Sequence, residues 1–172
     1  MVYTNEKIGE MSFDEWLEYK KEQEKRITHG AERVHDDVLY ALEFAVSTVC
    51  FGDTLPFIHL FYIPPELDNG ANAMFGNELV LIMVNKSFWD AHGIDHETIS
   101  MMFHEMCHAF CFYENIKGTD GKYHLPAFKQ VCEEHGGTCT FTNDTVGYNE
   151  ARPTPETEEL IRKELRRRGH SA

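Results

Sequence analysis

Two histidines and a glutamate form the pattern with the clearest chemical meaning, His104-Glu105-Met106-Cys107-His108. In a helix, residues four apart project from one face, one turn apart. Two imidazole nitrogens at that spacing can bind one Zn²⁺ at about 2.0–2.1 Å. Glu105 lies about 100° around the helix from His104, where it can take a proton from a metal-activated water. The motif predicts the metal-binding helix of a zinc-dependent hydrolase, most plainly a peptidase.

A catalytic zinc site usually has a third protein ligand and one open position. The metzincin pattern requires Gly and His three and six residues after the second motif histidine, and this chain has Cys111 and Glu114 there, so that class is excluded. The downstream candidates that remain are His124, Glu133, Glu134 and His135. Spacing favours His124 modestly, because the loop before it is long enough to fold back under the first helix. Either glutamate would instead make a two-His, one-Glu site.

A hydrolase of this kind also benefits from a hydrogen-bond donor near the oxygen that becomes negative in the transition state. Tyr148, Tyr123 and His135 are the candidates for that donor, and the sequence does not rank them.

The motif lies in a strongly predicted helix that begins near Asp95, a good N-cap, and runs to about Tyr113. Its apolar face contains Ile99, Met102, Phe103, Met106 and Phe110. Phe112 and Tyr113 lie off that stripe, so much of the circumference is apolar and we expect the helix at the centre of a domain. Two strands are predicted before it, at 57–63 and 78–85, and the continuous apolarity of the second indicates burial on both faces.

Other elements follow from caps, breakers and periodicity. A capping box at Ser12–Glu15 begins a charged helix that ends near His29 and Gly30, and a second helix is predicted from about Ala31 to Cys50. Residues 68–73 and 117–122 are predicted as a turn and a loop. Pro126 begins a further helix that Gly136-Gly137 ends, and residues 138–154 favour short extended pieces.

Length and composition are those of one globular domain, with 172 residues and 42% hydrophobic residues. The N-terminus has no secretory pattern, and five cysteines do not suggest a secreted disulfide framework, so a cytoplasmic location is expected. The net charge of −13 disfavours broad nonspecific binding to nucleic acid, and no apolar run is long enough to span a membrane.

The last residues are nonetheless basic. We interpret the five cations as the C-terminal end of a helix with glutamates at its start, and a DNA-contacting tail is the alternative. They are Arg162, Lys163, Arg166, Arg167 and Arg168.

The cysteines allow two interpretations. They are Cys50, Cys107, Cys111, Cys132 and Cys139. A second, thiolate-rich zinc site is conceivable, but small buried residues are the more common explanation for cysteines in such a domain.

The chain resembles the SprT-like metalloproteases, whose best-known member is the DNA–protein crosslink protease Spartan. The residues that carry the resemblance are His104 to Phe110, followed after a loop by Tyr123 to Lys129, and weaker likeness extends over 51–56 and 79–85. Leu125 stands where the family usually has Gly.

The resemblance implies that His124 is the third zinc ligand. It also implies a zincin-like α+β fold, with N-terminal helices, a small sheet and a central HExxH helix followed by a further helix. On that basis residues 1–172 form one SprT-like domain: an N-terminal helical region at 1–44, a core at 45–137, and extended pieces with a basic helix at 138–172. The expected function is a zinc metallopeptidase with Glu105 as general base, acting on protein or peptide substrates that include DNA-associated proteins.

Two alternatives remain open at this stage. One is a catalytically idle SprT-like zinc module that binds a protein partner or DNA, and the other is a zinc hydrolase acting on a non-peptide amide. Glu105 argues against the idle module, because a purely structural metal site needs no base.

Overall fold

The computed structural model describes residues 32–52, 54–55, 58–63, 71–76 and 79–172. The helix predicted between Ser12 and His29 lies outside them. Within them the chain forms a small α+β domain with five helices. The strands are β1 (Glu32–Arg33), β2 (Ile58–Tyr62), β3 (Ala71–Gly76), β4 (Leu79–Val84), β5 (Thr119–Asp120), β6 (Tyr123–His124), β7 (Gly137–Thr140) and β8 (Glu150–Pro153). The helices are α1 (Asp37–Phe51), α2 (Lys86–His92), α3 (His96–Tyr113), α4 (Pro126–Glu134) and α5 (Pro155–Arg167).

The largest sheet has the strand order β1-β2-β4-β3. β2 and β4 run parallel, while β1 and β3 pair antiparallel at the two edges. On one face of β4, side chains join the main core: Val80, Ile82 and Val84. On the other face, a second cluster forms: Phe61, Ile63, Leu81 and Met83. The prediction of a strand buried on both faces is therefore confirmed.

Two predicted boundaries are wrong. The second helix begins at Asp37 and not at Ala31, because the Asp36 carboxylate caps it by accepting from the amides of Val38 and Leu39. The residues before the cap extend as β1 and pair with β2. The turn predicted over 68–73 is also wrong in part, since β3 begins at Ala71 and pairs with β4 along its whole length. The short helix α2 was not predicted.

The motif helix is confirmed and is the centre of the domain. Asp95 caps α3 and forms a capping box with Thr98. The helix packs on α1, α4, β3 and β8. Its buried face includes Ile99, Met102, Phe103 and Met106, each with no exposed surface. Phe112 and Tyr113, the two aromatic residues off the apolar stripe, are exposed at the C-terminal end of the helix.

The elements after α3 return to its surface. The β5-β6 hairpin leads into α4, which begins at Pro126 as predicted. β7 and β8 form an antiparallel pair within the stretch predicted to be extended, and β8 packs on α3. α5 packs against α1. Among the described residues, no helix is both long and apolar enough to cross a bilayer.

Candidate metal centre

The two motif histidines are brought together by the pitch of α3. Their Nε2 atoms lie 3.0 Å apart, and the ring centroids are separated by 4.8 Å. This follows from their spacing of four residues on one helix. The sequence therefore predicted this half of the site from local geometry alone.

The third histidine comes from the β5-β6 hairpin. The Nε2 atom of His124 lies 3.0 Å from that of His108. The ligand atoms of His104, His108 and His124 all lie within 4.8 Å of one another, which makes a group able to hold a metal ion. The structure thus brings together the three residues predicted as metal ligands.

The loop between β7 and β8 holds His124 in place. The backbone amide of His124 donates to the Val146 carbonyl at 2.9 Å, and its ring Nδ1 lies 3.0 Å from the same oxygen. A β-bridge joins His124 to Gly147, which has φ +69°. A Cβ at Gly147 would lie 2.2 Å from the His124 carbonyl oxygen, so only glycine fits there.

The three imidazoles are held in the neutral form that binds metals. Burial lowers the pKa of His104 to about 3, with a further contribution from the charge of His124. Burial also lowers the pKa of His108 well below its ordinary value and lowers that of His124. The Nδ1–H of His124 donates to Val146, and a hydrogen bond to the Asn149 backbone holds His104. These backbone contacts leave ring nitrogens free to act as ligands.

The hydrogen-bonding pattern of this cluster is compatible with a shared metal ion. The Nε2 of His108 lies 3.0 Å from the Nε2 atoms of both His104 and His124. Because His124 commits its Nδ1 proton to Val146, a single Nε2 proton on His108 or His104 can satisfy only one of these two contacts. The other contact would pair two nitrogen lone pairs. One ion bound by all three atoms removes that conflict, and tetrahedral zinc places its nitrogens about 3.3 Å apart.

Phe128 of α4 packs against all three imidazoles. Its ring centroid lies 5.1, 4.4 and 4.7 Å from those of His104, His108 and His124, and it has no exposed surface. The aromatic ring excludes water from one side of the cluster and limits the rotation of the imidazoles.

The other side of the cluster faces a cleft of about 700 Å³. Glu105 lines this cleft and is 6% exposed. Its carboxylate therefore belongs to the same space as the three imidazoles without being one of the converging ligand atoms. The charged residues of the cleft wall are Glu97, Glu105, Lys122, Glu150 and Arg152.

The candidates for an oxyanion donor do not line this cleft. Tyr123 and Tyr148 are absent from its wall. His135 is held elsewhere, with its Nδ1 2.8 Å from the Cys50 carbonyl and its ring stacked on Phe51. His135 is therefore wrong both as an oxyanion donor and as a third ligand. Its assignment failed because sequence distance does not show which way the end of α4 faces.

The two glutamates considered as ligands are also placed outside the cluster. Glu133 pairs with Lys129, and Glu134 accepts from Gln130, each on the exposed side of α4. One cleft residue that sequence reasoning missed is Arg152. No spacing rule links it to the motif, and only the packing of β8 on α3 brings it there.

Four of the cysteines are buried, and Cys50 is half-buried. All five are free, and the Sγ–H of Cys139 donates to the Tyr148 carbonyl at 3.2 Å. Burial raises the pKa of Cys107 and raises that of Cys111 to about 11. In the part of the chain that is described, the histidines are the one group of three or more potential ligands that converge. The burial of Cys107, Cys111, Cys132 and Cys139 agrees with the interpretation as small buried residues.

The basic C-terminal residues are mostly neutralised within α5. Arg162, Arg166, Arg167 and Arg168 each pair with a glutamate of the same helix. The guanidinium of Arg168 also lies 3.8 Å from the centre of the Phe44 ring on α1. These contacts fit the interpretation of a helix whose ends match its dipole.

Comparison with known proteins gave no match to any family model, curated protein or solved structure.

Proposed function

We propose that this chain is a zinc-dependent metallopeptidase of zincin-like architecture, as its resemblance to SprT-like proteases implies. The observation that carries the proposal is the convergence of His104, His108 and His124 beside the buried carboxylate of Glu105, all facing one cleft. A histidine cluster alone fits a structural metal. A carboxylate next to that cluster, in a space open to substrate, fits hydrolysis better.

The donor set favours zinc among the common ions. Three neutral imidazoles suit Zn²⁺, whereas Mg²⁺ and Ca²⁺ prefer oxygen ligands. A zinc ion held there supplies a Lewis acid that lowers the pKa of water toward about 7 and polarises a carbonyl group. Three protein ligands leave the open position that distinguishes catalytic from structural zinc sites.

Glu105 moves the proton in this mechanism. Its carboxylate accepts a proton from the attacking water and then delivers it to the amine that leaves. Its place on α3, one residue after His104, holds it beside the cluster without using it as a ligand. Burial by Phe128 and the helix core keeps competing water from one side of the reacting groups.

The central test is Glu105→Gln, which keeps the shape of the side chain and removes the base. We expect one zinc per chain to remain and hydrolysis of unfolded proteins and quenched fluorescent peptides to fall about 10²- to 10⁴-fold. Glu114→Gln is the matched control, because Glu114 is exposed at the end of the same helix and outside the cleft. Full hydrolytic activity in the Glu105→Gln variant would contradict this proposal.

Chelation separates a peptidase from an idle zinc module. Activity that disappears with a chelator and returns with zinc is the expected result. Stoichiometric zinc without cleavage of any substrate would favour the idle module.

A further inference from the structure

Among the described residues, two cations of the cleft lack the carboxylate partners that most other lysines and arginines have. Seven of the eleven described lysines and arginines form ion pairs: Lys86, Lys117, Lys129, Arg162, Arg166, Arg167 and Arg168. Among the described residues, Lys122, Arg152 and Lys163 have no carboxylate within 4.0 Å, and the first two line the cleft. In a chain of net charge −13, such cations are available for an anionic ligand.

A relay of side chains holds Arg152 at the wall of the cleft. Its Nη1 lies 3.5 Å from the Nε2 of His96, whose Nδ1 lies 2.6 Å from a Glu158 carboxylate oxygen. Arg162 binds the other oxygen of Glu158 through two nitrogens, at 2.9 and 2.7 Å. Because the Nδ1–H of His96 donates to Glu158, its Nε2 accepts from the guanidinium. Arg152 is an exposed residue of the cleft wall, so its remaining donors can reach a ligand there.

Ser100 gives an independent indication of a ligand at this end. It is 6% exposed and lines the same cleft, and its Oγ has no hydrogen-bond partner among the described residues. A buried hydroxyl without a partner is costly, so a bound group that pairs with it is favoured. Ser100 is one helical turn from His96 and one turn from His104, which places it between Arg152 and the metal cluster.

We propose that Arg152 and Ser100 form a carboxylate subsite that selects acidic substrates. The subsite rests on the proposed peptidase function, because it assumes that a peptide lies in the cleft. One guanidinium and one hydroxyl match a single carboxylate and not a polyanion, since Glu97 and Glu150 line the same cleft and repel extended negative charge. One oxygen of the Glu150 carboxylate accepts a hydrogen bond from the Thr140 hydroxyl at 3.0 Å.

The helix sets the distance between the subsite and the scissile bond. Ser100 and His96 precede His104 by four and eight residues, which is about 6 and 12 Å along α3. An extended peptide advances about 3.3 Å per residue. The selected carboxylate therefore lies about two to four residues from the bond that is cut, either on an Asp or Glu side chain or at a nearby C-terminus.

The test measures binding, so that it does not depend on turnover. Fluorescence anisotropy with the full-length Glu105→Gln protein, with and without added zinc, compares C-terminally amidated peptides that carry Glu or Gln three residues from the centre. A third peptide carries only a free C-terminal carboxylate. We expect the Glu peptide to bind about 10- to 100-fold tighter than the Gln peptide. A preference for the third peptide instead identifies the terminal carboxylate as the ligand.

Variants then assign the preference to the subsite. Arg152→Gln should abolish it, Arg152→Glu should reverse it toward a Lys peptide, and Ser100→Ala should reduce it without lowering the thermal midpoint. Lys163→Gln is the matched control, because Lys163 lies outside the cleft and has no carboxylate partner in the described part of the chain. Equal binding of all three peptides, or a preference that survives Arg152→Gln, overturns the subsite.

The two proposals fail in different ways. Hydrolysis without any charge preference would contradict the subsite proposal and agree with the peptidase proposal. An Arg152-dependent preference for the acidic peptide, without hydrolysis by the wild-type protein, would contradict the peptidase proposal and agree with the subsite proposal.

Discussion

The two sides of α3 both carry residues that bind metals, yet only one has the properties of a metal site. On the cleft side, His104 and His108 meet His124 in a cluster whose nitrogens converge. On the core side, Cys107 and Cys111 lie one turn apart near Cys132 and are buried. Helical spacing is the same on the two sides. The difference lies in the ligand chemistry, histidine on one side and cysteine on the other, and in how burial changes its protonation.

Protonation explains that difference. Burial acts on both groups by disfavouring the charged form. For histidine the uncharged form is the metal ligand, so a lowered pKa prepares the site. For cysteine the charged thiolate is the ligand, so a raised pKa works against binding. The same low-dielectric interior therefore favours a histidine site and disfavours a thiolate site.

The largest expected difference between the two sides is in zinc content. His108→Ala removes a metal ligand. Because losing a residue that only supports a ligand already weakens metal binding by up to about 100-fold, we expect a larger loss of zinc affinity here. Cys132→Ala should still bind one zinc per chain. Metal analysis after dialysis, with circular dichroism to show that each variant is folded, makes the measurement. Loss of zinc from Cys132→Ala would show that the thiols do hold metal.

The next effect concerns the backbone that orients His124. Gly147→Ala places a Cβ 2.2 Å from the His124 carbonyl oxygen and so displaces the loop that accepts from Nδ1. We expect zinc affinity to fall about 10- to 100-fold. Gly52→Ala is the matched control, because Gly52 also has positive φ, at +59°, but has open space around it. Competition with a zinc-sensitive dye gives the affinities. Equal losses in both variants would mean that backbone strain alone is responsible.

How far sequence reasoning reached depended on whether the cause was local. His104, Glu105 and His108 follow from one helical turn, and the Asp95 cap and the β4 run are equally local signals. Selecting His124 from spacing was weaker, and the resemblance to a family strengthened that choice. The structure then shows the physical reason, which is a hairpin tied to the Val146 carbonyl.

Several of the failures involve partners distant in sequence. Arg152 lies in the cleft because β8 packs on α3. His135 lies outside the cleft, where its ring stacks on Phe51. β1 replaces the start of a predicted helix because β2 offers it a strand to pair with. Periodicity and capping carry no information about such contacts.

The pH dependence of stability gives a smaller and more selective test of the histidine side. The pKa of His104 is about 3 in the folded protein and about 6.5 in an unfolded chain. Below pH 6.5 the unfolded chain therefore binds a proton that the folded protein does not. Stability falls as pH falls, by about 2 kcal/mol between pH 6.5 and 5 for this residue. Urea unfolding of metal-free protein should show a shallower acid slope in His104→Gln. Identical slopes would contradict the burial argument.

The smallest effect lies on the alkaline side and belongs to the thiols. The pKa of Cys132 is raised by its hydrogen bond to Cys107 and by burial, so the folded protein keeps a proton that an unfolded thiol loses near pH 9. Stability should therefore fall as pH rises, by about 1.4 kcal/mol per pH unit per thiol above that point. Cys132→Ala should flatten the alkaline slope and leave the acid slope unchanged, while His104→Gln should do the reverse. Urea unfolding of both variants from pH 5 to 10 measures this crossed pattern. A single variant that changed both slopes would show that the two sides of α3 titrate as one coupled network.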